Sequence, residues 1–436
     1  MADVRTPVEV VTFGCRLNLV ESEAIRRAAL AAGRDNLVIV NSCAVTGEAV
    51  RQARQTIRRI RRERPGVTIL VTGCAAQTET AGFAAMPEVD GMVGNGVKTE
   101  VGSWRHDDGA AAPPRAGVPD VMALTGTATP LAEAIPGHTR AFVQVQTGCD
   151  HRCTFCIIPY GRGPSRSVPM GAVTDAIARL VEQGIADVAL TGVDLTSYGA
   201  DLPGAPRLGT LVAAILYHVP ALRRLRLSSI DSVEADETLV GLFASEERLM
   251  PHLHLSLQAG DDLILKRMKR RHGFDDAVAL CERLRRLRPD IVFGADIIAG
   301  FPTETEAQFQ RSLDLVEACG LTHLHVFPFS PRAGTPAARM PQVAGAAIRE
   351  RAARLRAAGD AALTRHLDRQ AGRMVEVLAE RGGIGRTADF TAVILPEGVA
   401  AGSFLTGRVS GHAGGRLWLD AGVDAPSALV AAAATG

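Results

Sequence analysis

The sequence reads as an α/β protein in three parts: an N-terminal doubly wound parallel sheet, a central β/α barrel or part of one, and a small C-terminal all-β barrel. Two patterns carry this reading. Over the first two parts, short β-branched apolar runs alternate with amphipathic helical stretches, as buried parallel strands and their crossover helices do. After a long Ala/Arg helix near Ala346–Gln370, the runs become short strands broken by glycine turns. The boundaries fall at 7–106 for the first part, 107–136 for a linker, 137–366 for the core and 367–434 for the last part.

With 436 residues, 47% of them apolar, the chain can build several packed cores. No run of about 20 apolar residues appears, so no membrane helix is expected. The first residues, MADVRTPVEV, do not read as a signal peptide, and a cytoplasmic location is expected. Eight cysteines in that setting point to metal ligation rather than disulfides. The formal net charge is +1, so a nucleic-acid partner must meet local basic faces rather than a global field.

In the first part, Pro7–Phe13, Asn36–Val40 and Val67–Thr72 read as strands. Helices near Val20–Ala32 and Glu48–Arg64 lie between them, closed by Gly33 and by Pro65-Gly66. Each strand ends in a cysteine: Cys15, Cys43 and Cys74. Ligands of open α/β sheets bind beyond the carboxyl ends of the strands. Small buried-prone cysteines can fall there by chance, but three in one local setting, each beside Gly or Ser, favour a three-thiolate site. Arg51, Arg54, Arg58, Arg59, Arg61, Arg62 and Arg64 crowd the second helix. Most read as a solvated face; contact with RNA phosphates is the alternative.

Asp107–Pro136 is rich in Ala, Gly, Pro and Thr and reads as a linker. Arg140–Gln146 then alternates as a strand and delivers GCDHRCTFCIIPYGRG, where Cys149, Cys153 and Cys156 form a C-x3-C-x2-C run. Thiolates are the usual ligands of iron–sulfur clusters, and three of them leave one iron of a four-iron cubane open. A zinc knuckle would need a fourth ligand, and none follows at ligand spacing. His151 reads as an exposed loop residue. Further strands are expected at Val188–Thr191, Arg224–Ser228, His252–Ser256, Val292–Ile298 and Leu324–Phe327. Helices are expected near Val173–Gln183, Leu208–His218, Phe274–Arg288 and Glu306–Ala318. In such a barrel the chemistry sits at the carboxyl ends of the strands. There the sequence places Gly192, Val193 and Asp194, then Arg226, Ser228 and Ser229, and then His252, His254, Ser256 and Gln258 on one strand face. Cys281 and Cys319 lack a strand-end setting and read as packing residues. Lys266, Arg267, Lys269, Arg270 and Arg271 read as solvated surface. In the last part, few aromatics and modest charge at Arg373, Arg381, Arg386 and Arg408 make a weak case for RNA.

The C-x3-C-x2-C run, with aromatic Phe155 before its last cysteine, resembles the radical S-adenosylmethionine enzymes. Together with TFGCRLN, NSCAVT and TGCAAQ it resembles the methylthiotransferases, whose N-x-x-E-S-E motif is intact at Asn18, Glu21, Ser22 and Glu23. The resemblance covers nearly the whole chain. It implies a partial (βα)6 barrel and a C-terminal TRAM barrel that binds RNA. It also implies two [4Fe-4S] clusters, one on Cys15, Cys43 and Cys74 and a catalytic one on Cys149, Cys153 and Cys156. S-adenosylmethionine would be met by Phe155, Gly192, Val193, Asp194, Ser228 and Gln258, with the turn in ADIIAGFPTET placed to flank the adenine. One molecule methylates sulfur held at the N-terminal cluster. A second is cleaved to a deoxyadenosyl radical that removes a substrate hydrogen, and methylthio takes its place. No side chain can deprotonate an aromatic C–H at pH 7, which is a physical reason for radical chemistry.

Branches of the family act on N6-isopentenyladenosine in tRNA, on N6-threonylcarbamoyladenosine in tRNA, or on an aspartate of a ribosomal protein. NSCAVT, RLRLSSID, HLHLSLQ and HVFPFSPRAGTPAARM look most like the threonylcarbamoyladenosine branch. The implied partners are the tRNA anticodon loop, an electron donor of the flavodoxin or ferredoxin kind and a sulfur source. Ala259 and Asp194 depart from the Ser and Asn common in relatives. No residue in the sequence explains a preference for a threonylcarbamoyl over an isopentenyl group. The rival from another class is a non-catalytic iron–sulfur RNA-binding protein.

Overall fold

The computed structural model describes residues 8–105, 118–128, 131–133, 135, 138–420 and 424–427. In the N-terminal part, β1 (Glu9–Thr12), β2 (Leu37–Ser42), β3 (Thr68–Gly73) and β4 (Gly91–Met92) form one parallel sheet in the order β1-β2-β3-β4. Helix α1 (Arg16–Ala31) covers one face, with Ile25, Ala28 and Ala29 packed on Leu37, Ile39 and Leu70. Helix α2 (Gly47–Glu63) covers the other, with Val50, Ala53, Ile57 and Ile60 on Val38, Val40, Ile69 and Val71. Successive strand residues point to opposite faces, so continuous apolar strands such as LVIV serve both helices. Two short helices follow β3: α3 (Cys74–Thr78) and α4 (Thr80–Ala84).

Helix α1 begins at Arg16, earlier than the apolar pattern indicates, because Cys15 is its N-cap residue in extended conformation. The stretch read as a linker is partly built into the fold. Val121 packs against the cysteine loop so closely that a Cβ on Gly163 would lie 2.2 Å from the Val121 carbonyl oxygen. Strand β5 (Leu131–Glu133) pairs antiparallel with β6 (Arg140–Gln144).

A short ladder, β7 (Gln146–Thr147) with β8 (Arg166–Ser167), then frames the cysteine loop and its helix α5 (Ile158–Arg162). The core continues with β9 (Asp187–Thr191), β10 (Arg224–Leu227), β11 (Ser229–Ile230), β12 (His252–Gln258), β13 (Val292–Ala299) and β14 (Leu321–Pro328). The strands form the sheets β5-β6-β9-β10 and β11-β12-β13-β14, which a bridge between Leu225 and Leu249 joins. All pairings but that of β5 are parallel, and β14 pairs with β13 only among the described residues. With β10 and β11 counted as one strand and the antiparallel β5 set aside, this is an open partial barrel of six parallel strands. Residues such as Val143, Leu190, Leu225, Leu253, Ala295 and Ile297 face outward into one large core beneath the crossover helices. The opposite parity, which carries Arg140, Asp187, Arg226, His254 and Asp296, lines the lumen.

Helix α6 (Gly345–Gln370), the last helix among the described residues, leads to β15 (Met374–Ala379), β16 (Ile384–Thr387), β17 (Ala392–Ile394), β18 (Phe404–Ala413), β19 (Arg416–Leu419) and β20 (Asp424–Ser427). The order β15-β16-β17-β19-β18 is closed by pairing of β15 with β18. The sequence pattern missed β16, whose IGRT is too short and polar to show alternation. Arg386 and Arg408 donate to carbonyls near this barrel, those of Phe390 and Gly372, at 3.1 and 2.6 Å. No helix is long and apolar enough among the described residues to cross a membrane.

The barrel docks on the amino end of the core through arginines. Arg226 donates to the carbonyls of Ala388 and Thr387 at 2.7 and 3.0 Å, and Arg224 to that of Arg386 at 3.1 Å. Asp187, fully buried, anchors this end by pairing with Arg140 at 2.9 Å and with Arg226 at 3.0 Å. Removing one partner of a buried pair strands the others. Asp187→Asn is therefore expected to lower unfolding stability by about 3–5 kcal/mol in urea titrations.

Candidate active site

Two sets of three cysteines meet where the N-terminal sheet faces the carboxyl end of the core. Cys15, Cys43 and Cys74 end β1, β2 and β3, and each strand end brings its thiol to the same sheet edge. The contact between the first two is tight: a Cβ on Gly14 would lie 2.5 Å from Cys43 Sγ. Gly14 has φ +94, which glycine adopts without strain. Cys43 Sγ accepts from the Val45 N–H at 3.5 Å, and Cys74 Sγ from Asn95 Nδ2 at 3.7 Å. Burial pushes the Cys43 thiol up to about 11, and the nearby Cys74 and Cys15 add to this. Cys15 itself is exposed to the cleft.

Cys149, Cys153 and Cys156 project from the loop after β7. Gly148 makes the turn possible: its φ is +73, and a Cβ there would sit 1.8 Å from the Pro164 carbonyl oxygen. Burial raises the Cys156 thiol to about 12 and raises Cys149 as well, where Asp194 adds to the effect. The two sets adjoin. Helix α5 packs on Cys74, with a Cβ position at Gly161 only 3.2 Å from the Cys74 Cβ.

The surroundings suit anionic, thiolate-bound groups. Arg270 Nη1 lies 3.8 Å from Cys153 Sγ, and its buried Nε has no hydrogen-bond partner among the described residues. Arg162 and Lys98, both buried, lie close enough to Cys74 for its charge to act on them. Each set offers three soft sulfur donors beside cationic side chains, which is the donor set that an iron–sulfur cluster with one open iron requires.

Of the expected S-adenosylmethionine contacts, Asp194 Oδ2 lies 3.8 Å from Cys149 Sγ and Phe155 lies within the cysteine loop. Gly192, Val193 and Asp194 form the loop after β9, and Gln146 Oε1 accepts from the N–H groups of Val193 and Asp194, both at 2.9 Å. The Gln146 amide donates to the Gly148 carbonyl at 2.8 Å, so this one side chain ties the loop to the cysteine turn. Sequence reasoning missed it; its place on the lumen face of the β6–β7 segment was the available signal. Phe155 packs edge-on against Phe301 at 6.5 Å. Ser228 follows β10, with its N–H on the Leu190 carbonyl at 3.0 Å. Gln258 ends β12 at φ +69, where the pairing with β13 shifts register.

Two readings need correction. His151 is not a free loop residue: its Nε2 pairs with Asp194 Oδ2 at 2.9 Å and lies 3.7 Å from Glu234. Those two carboxylates raise its pKa to about 10, so it carries charge. The run from Lys266 is not simply solvated either. Arg270 is buried on Asp231 at 2.7 Å, and Arg271 pairs with Glu234 at 2.5 Å. On α2, by contrast, Arg51, Arg54, Arg58, Arg61 and Arg64 pair with Glu48, Glu79, Glu88, Asp90 and Glu9. Arg59 and Arg62 stay exposed, with no ion pair among the described residues. Cys281 and Cys319 are buried and hydrogen-bonded to one another.

The N-x-x-E-S-E residues clamp the two halves together. Arg162, six residues past Cys156, donates to both Glu21 oxygens at 2.7 and 2.9 Å and to Asn18 Oδ1 at 2.6 Å. Lys98 Nζ meets the same carboxylate at 2.7 Å. Asn18 donates onward to the carbonyls of Phe13 and Ser42 at 2.8 and 3.1 Å, each two residues before Cys15 or one before Cys43. Ser22 Oγ accepts from Thr12 and Asn41 at 2.7 and 3.0 Å.

Comparison with known proteins agrees with this geometry. Residues 143–316 match the radical SAM superfamily profile, and residues 7–94 match one described as uncharacterized protein family UPF0004. The threonylcarbamoyladenosine tRNA methylthiotransferase MtaB of Rickettsia prowazekii is 47% identical over 403 residues, covering 92% of this chain and 94% of that protein. The chain belongs to the radical S-adenosylmethionine methylthiotransferase family. Proteins of the same name from Thermotoga maritima and Bacillus subtilis are 35% and 32% identical over 76% and 85% of the chain and 77% and 84% of their own lengths. Among solved structures, the radical S-adenosylmethionine methyltransferase TsrM of Kitasatospora setae aligns at TM-score 0.51 and 17% identity. It covers 77% of this chain and 74% of its own, which is a likeness of fold. The cofactors of this methylthiotransferase are S-adenosylmethionine and two [4Fe-4S] clusters.

Burial works to raise the Glu21 pKa, but the charges and hydrogen bonds of Arg162 and Lys98 hold it down to about 2. A depressed carboxylate contributes stability above the ordinary value of about 4.3 and loses it as pH falls toward the folded value. Glu21→Gln is expected to cost about 3–5 kcal/mol near neutral pH. In denaturant titrations its gap to the unaltered protein should close as pH falls from about 4 to about 2.

Proposed function

We propose that this methylthiotransferase acts on tRNA in the cytoplasm, replacing the C2 hydrogen of N6-threonylcarbamoyladenosine at position 37 with a methylthio group. The observation that carries the choice of branch is the 47% identity to the Rickettsia prowazekii protein of that name. Relatives named tRNA-2-methylthio-N(6)-dimethylallyladenosine synthase reach 33–35%. One named ribosomal protein uS12 methylthiotransferase RimO reaches 36%.

In this reading Cys149, Cys153 and Cys156 hold the central cluster, and Cys15, Cys43 and Cys74 hold the other. When bound, the clusters and S-adenosylmethionine supply the methylthio sulfur and the reductive cleavage that removes the substrate hydrogen. The chain's own residues position and shield. The loop of Gly192, Val193 and Asp194, braced by Gln146, receives the amino group of S-adenosylmethionine, with Asp194 as its countercharge. Phe155, Ser228 and Gln258 flank the same ligand. Arg270 offsets negative charge at Cys153, and the Arg162–Glu21 clamp keeps the two cysteine sets facing one cleft. An anticodon base, unstacked in a single-stranded loop, can enter that cleft edge-on. An electron donor of the flavodoxin or ferredoxin kind and a sulfur source complete the reaction.

Anaerobically reconstituted variants test the division of labour. Cys153→Ala should abolish 5′-deoxyadenosine release while keeping iron at the N-terminal set. Cys43→Ala should keep the release and lose methylthio transfer, followed by mass spectrometry of tRNA nucleosides. Loss of all iron in each variant, or methylthio appearing on a ribosomal protein instead of tRNA, would overturn the assignment.

A further inference from the structure

The cleft beside Cys15 contains a positive charge with no partner. Arg16 follows Cys15 directly and opens α1. Its side chain is exposed toward the cleft, while the guanidinium sits 5.7 Å from the Phe142 ring and 5.8 Å from the Phe390 ring. Among the described residues it donates no hydrogen bond and forms no ion pair. The arginines around it are all matched. Arg140 has Asp187 and Glu380, Arg226 has Asp187, and Arg386 has Glu380.

The acidic group that faces Arg16 is engaged elsewhere. Asp296 Oδ1 is shared by His254 Nε2 at 3.0 Å and His325 Nδ1 at 3.2 Å. A guanidinium left in this state is a receptor for an anion that comes from outside the chain, and its planar fork suits a carboxylate.

Its position says which anion. On adenine, C2 and C6 flank the same ring nitrogen, and C6 carries the exocyclic N6. A base that offers C2 to the cysteine set at Cys15 therefore carries its N6 substituent within reach of the next residue. We propose that Arg16 is the specificity residue for the N6 substituent, its guanidinium pairing with the carboxylate of the threonylcarbamoyl group. This rests on the tRNA substrate proposed above and supplies the physical reason that the sequence lacks. An isopentenyl group has no acceptor and would leave the guanidinium unpaired in a partly desolvated site. Sites built around such a polar contact reject analogues that lack it.

The test uses full-length, reconstituted holoenzyme and three anticodon stem-loop RNAs that differ only at position 37: threonylcarbamoyladenosine, isopentenyladenosine and plain adenosine. Affinities are read by fluorescence anisotropy at one fixed salt concentration, because phosphate contacts vary with salt. The unaltered protein should prefer the first RNA. Arg16→Gln should weaken that RNA alone by about tenfold to a hundredfold, the worth of a charged hydrogen bond. Arg16→Lys should recover part of the loss, since a point charge lacks the fork. Equal weakening of all three RNAs would make Arg16 a phosphate contact, and an unchanged ratio would remove it from the site; either overturns the inference. Iron content shows whether the Gln variant assembles. If it does not, the unaltered protein decides, with RNA whose threonylcarbamoyl carboxylate is methyl-esterified: affinity should fall to that of the isopentenyl RNA, and full retention overturns the inference. An unaltered protein that prefers isopentenyl RNA would overturn the proposed substrate itself. A preference for threonylcarbamoyl RNA that survives Arg16→Gln overturns only the role of Arg16.

Discussion

The buried carboxylate of Glu21, shared by Arg162 and Lys98, is the interaction on which the geometry of the site depends. The three members of this network come from three places: α1, the segment after β4, and the helix that ends the cysteine loop. Glu21, Lys98 and Arg162 are each 1–5% exposed, so none can be hydrated if the others move. A charge stranded in such a place costs several kcal/mol, whereas the complete set is close to neutral in energy. The network therefore acts less as a source of stability than as a specification of where the N-terminal sheet sits on the core.

That specification explains why the N-x-x-E-S-E residues accompany the first cysteine. They hold no metal. Asn18 fixes the backbone leading to Cys15 and Cys43, Ser22 bridges β1 and β2, and Glu21 reaches across to the loop that carries Cys149, Cys153 and Cys156. One turn of helix thus aligns both cysteine sets. At the other end of the core, arginines do comparable work. Arg140, Arg226 and Arg386 surround Phe390 at 4.7–5.4 Å and join the C-terminal barrel to the lumen. Arg16 lies at the meeting point of all three parts, which is where a substrate held by all of them would be read.

Much of this was legible in the sequence, for local reasons. Strand-end cysteines declare themselves because a parallel sheet puts its ligands at one edge. The C-x3-C-x2-C run is contiguous, so its three thiols need no folding argument to be neighbours. The two packing cysteines were separable from the others by setting alone. The misses share a cause. His151, Arg270, Gln146 and Arg16 take their roles from partners 39 to 280 positions away, such as Asp194, Asp231, Val193 and Asp296, and no spacing rule reaches that far. Strand β16 was missed because four residues are too few for a period of two to register.

By itself the sequence determined the order of the three parts, the two cysteine sets and the family chemistry, because each is encoded in contiguous or strand-end residues. Only the tertiary structure decided which charges are matched. An arginine on a helix face and one in a closed network look alike in sequence. Asp187 and Glu21 consume the cations around them, Glu48, Glu79, Glu88 and Asp90 consume most of those on α2, and Arg16 is left over beside Cys15. Pairing is a property of distance and desolvation in three dimensions, so no sequence pattern separates Arg16, which has no ion pair among the described residues, from the matched arginines around it.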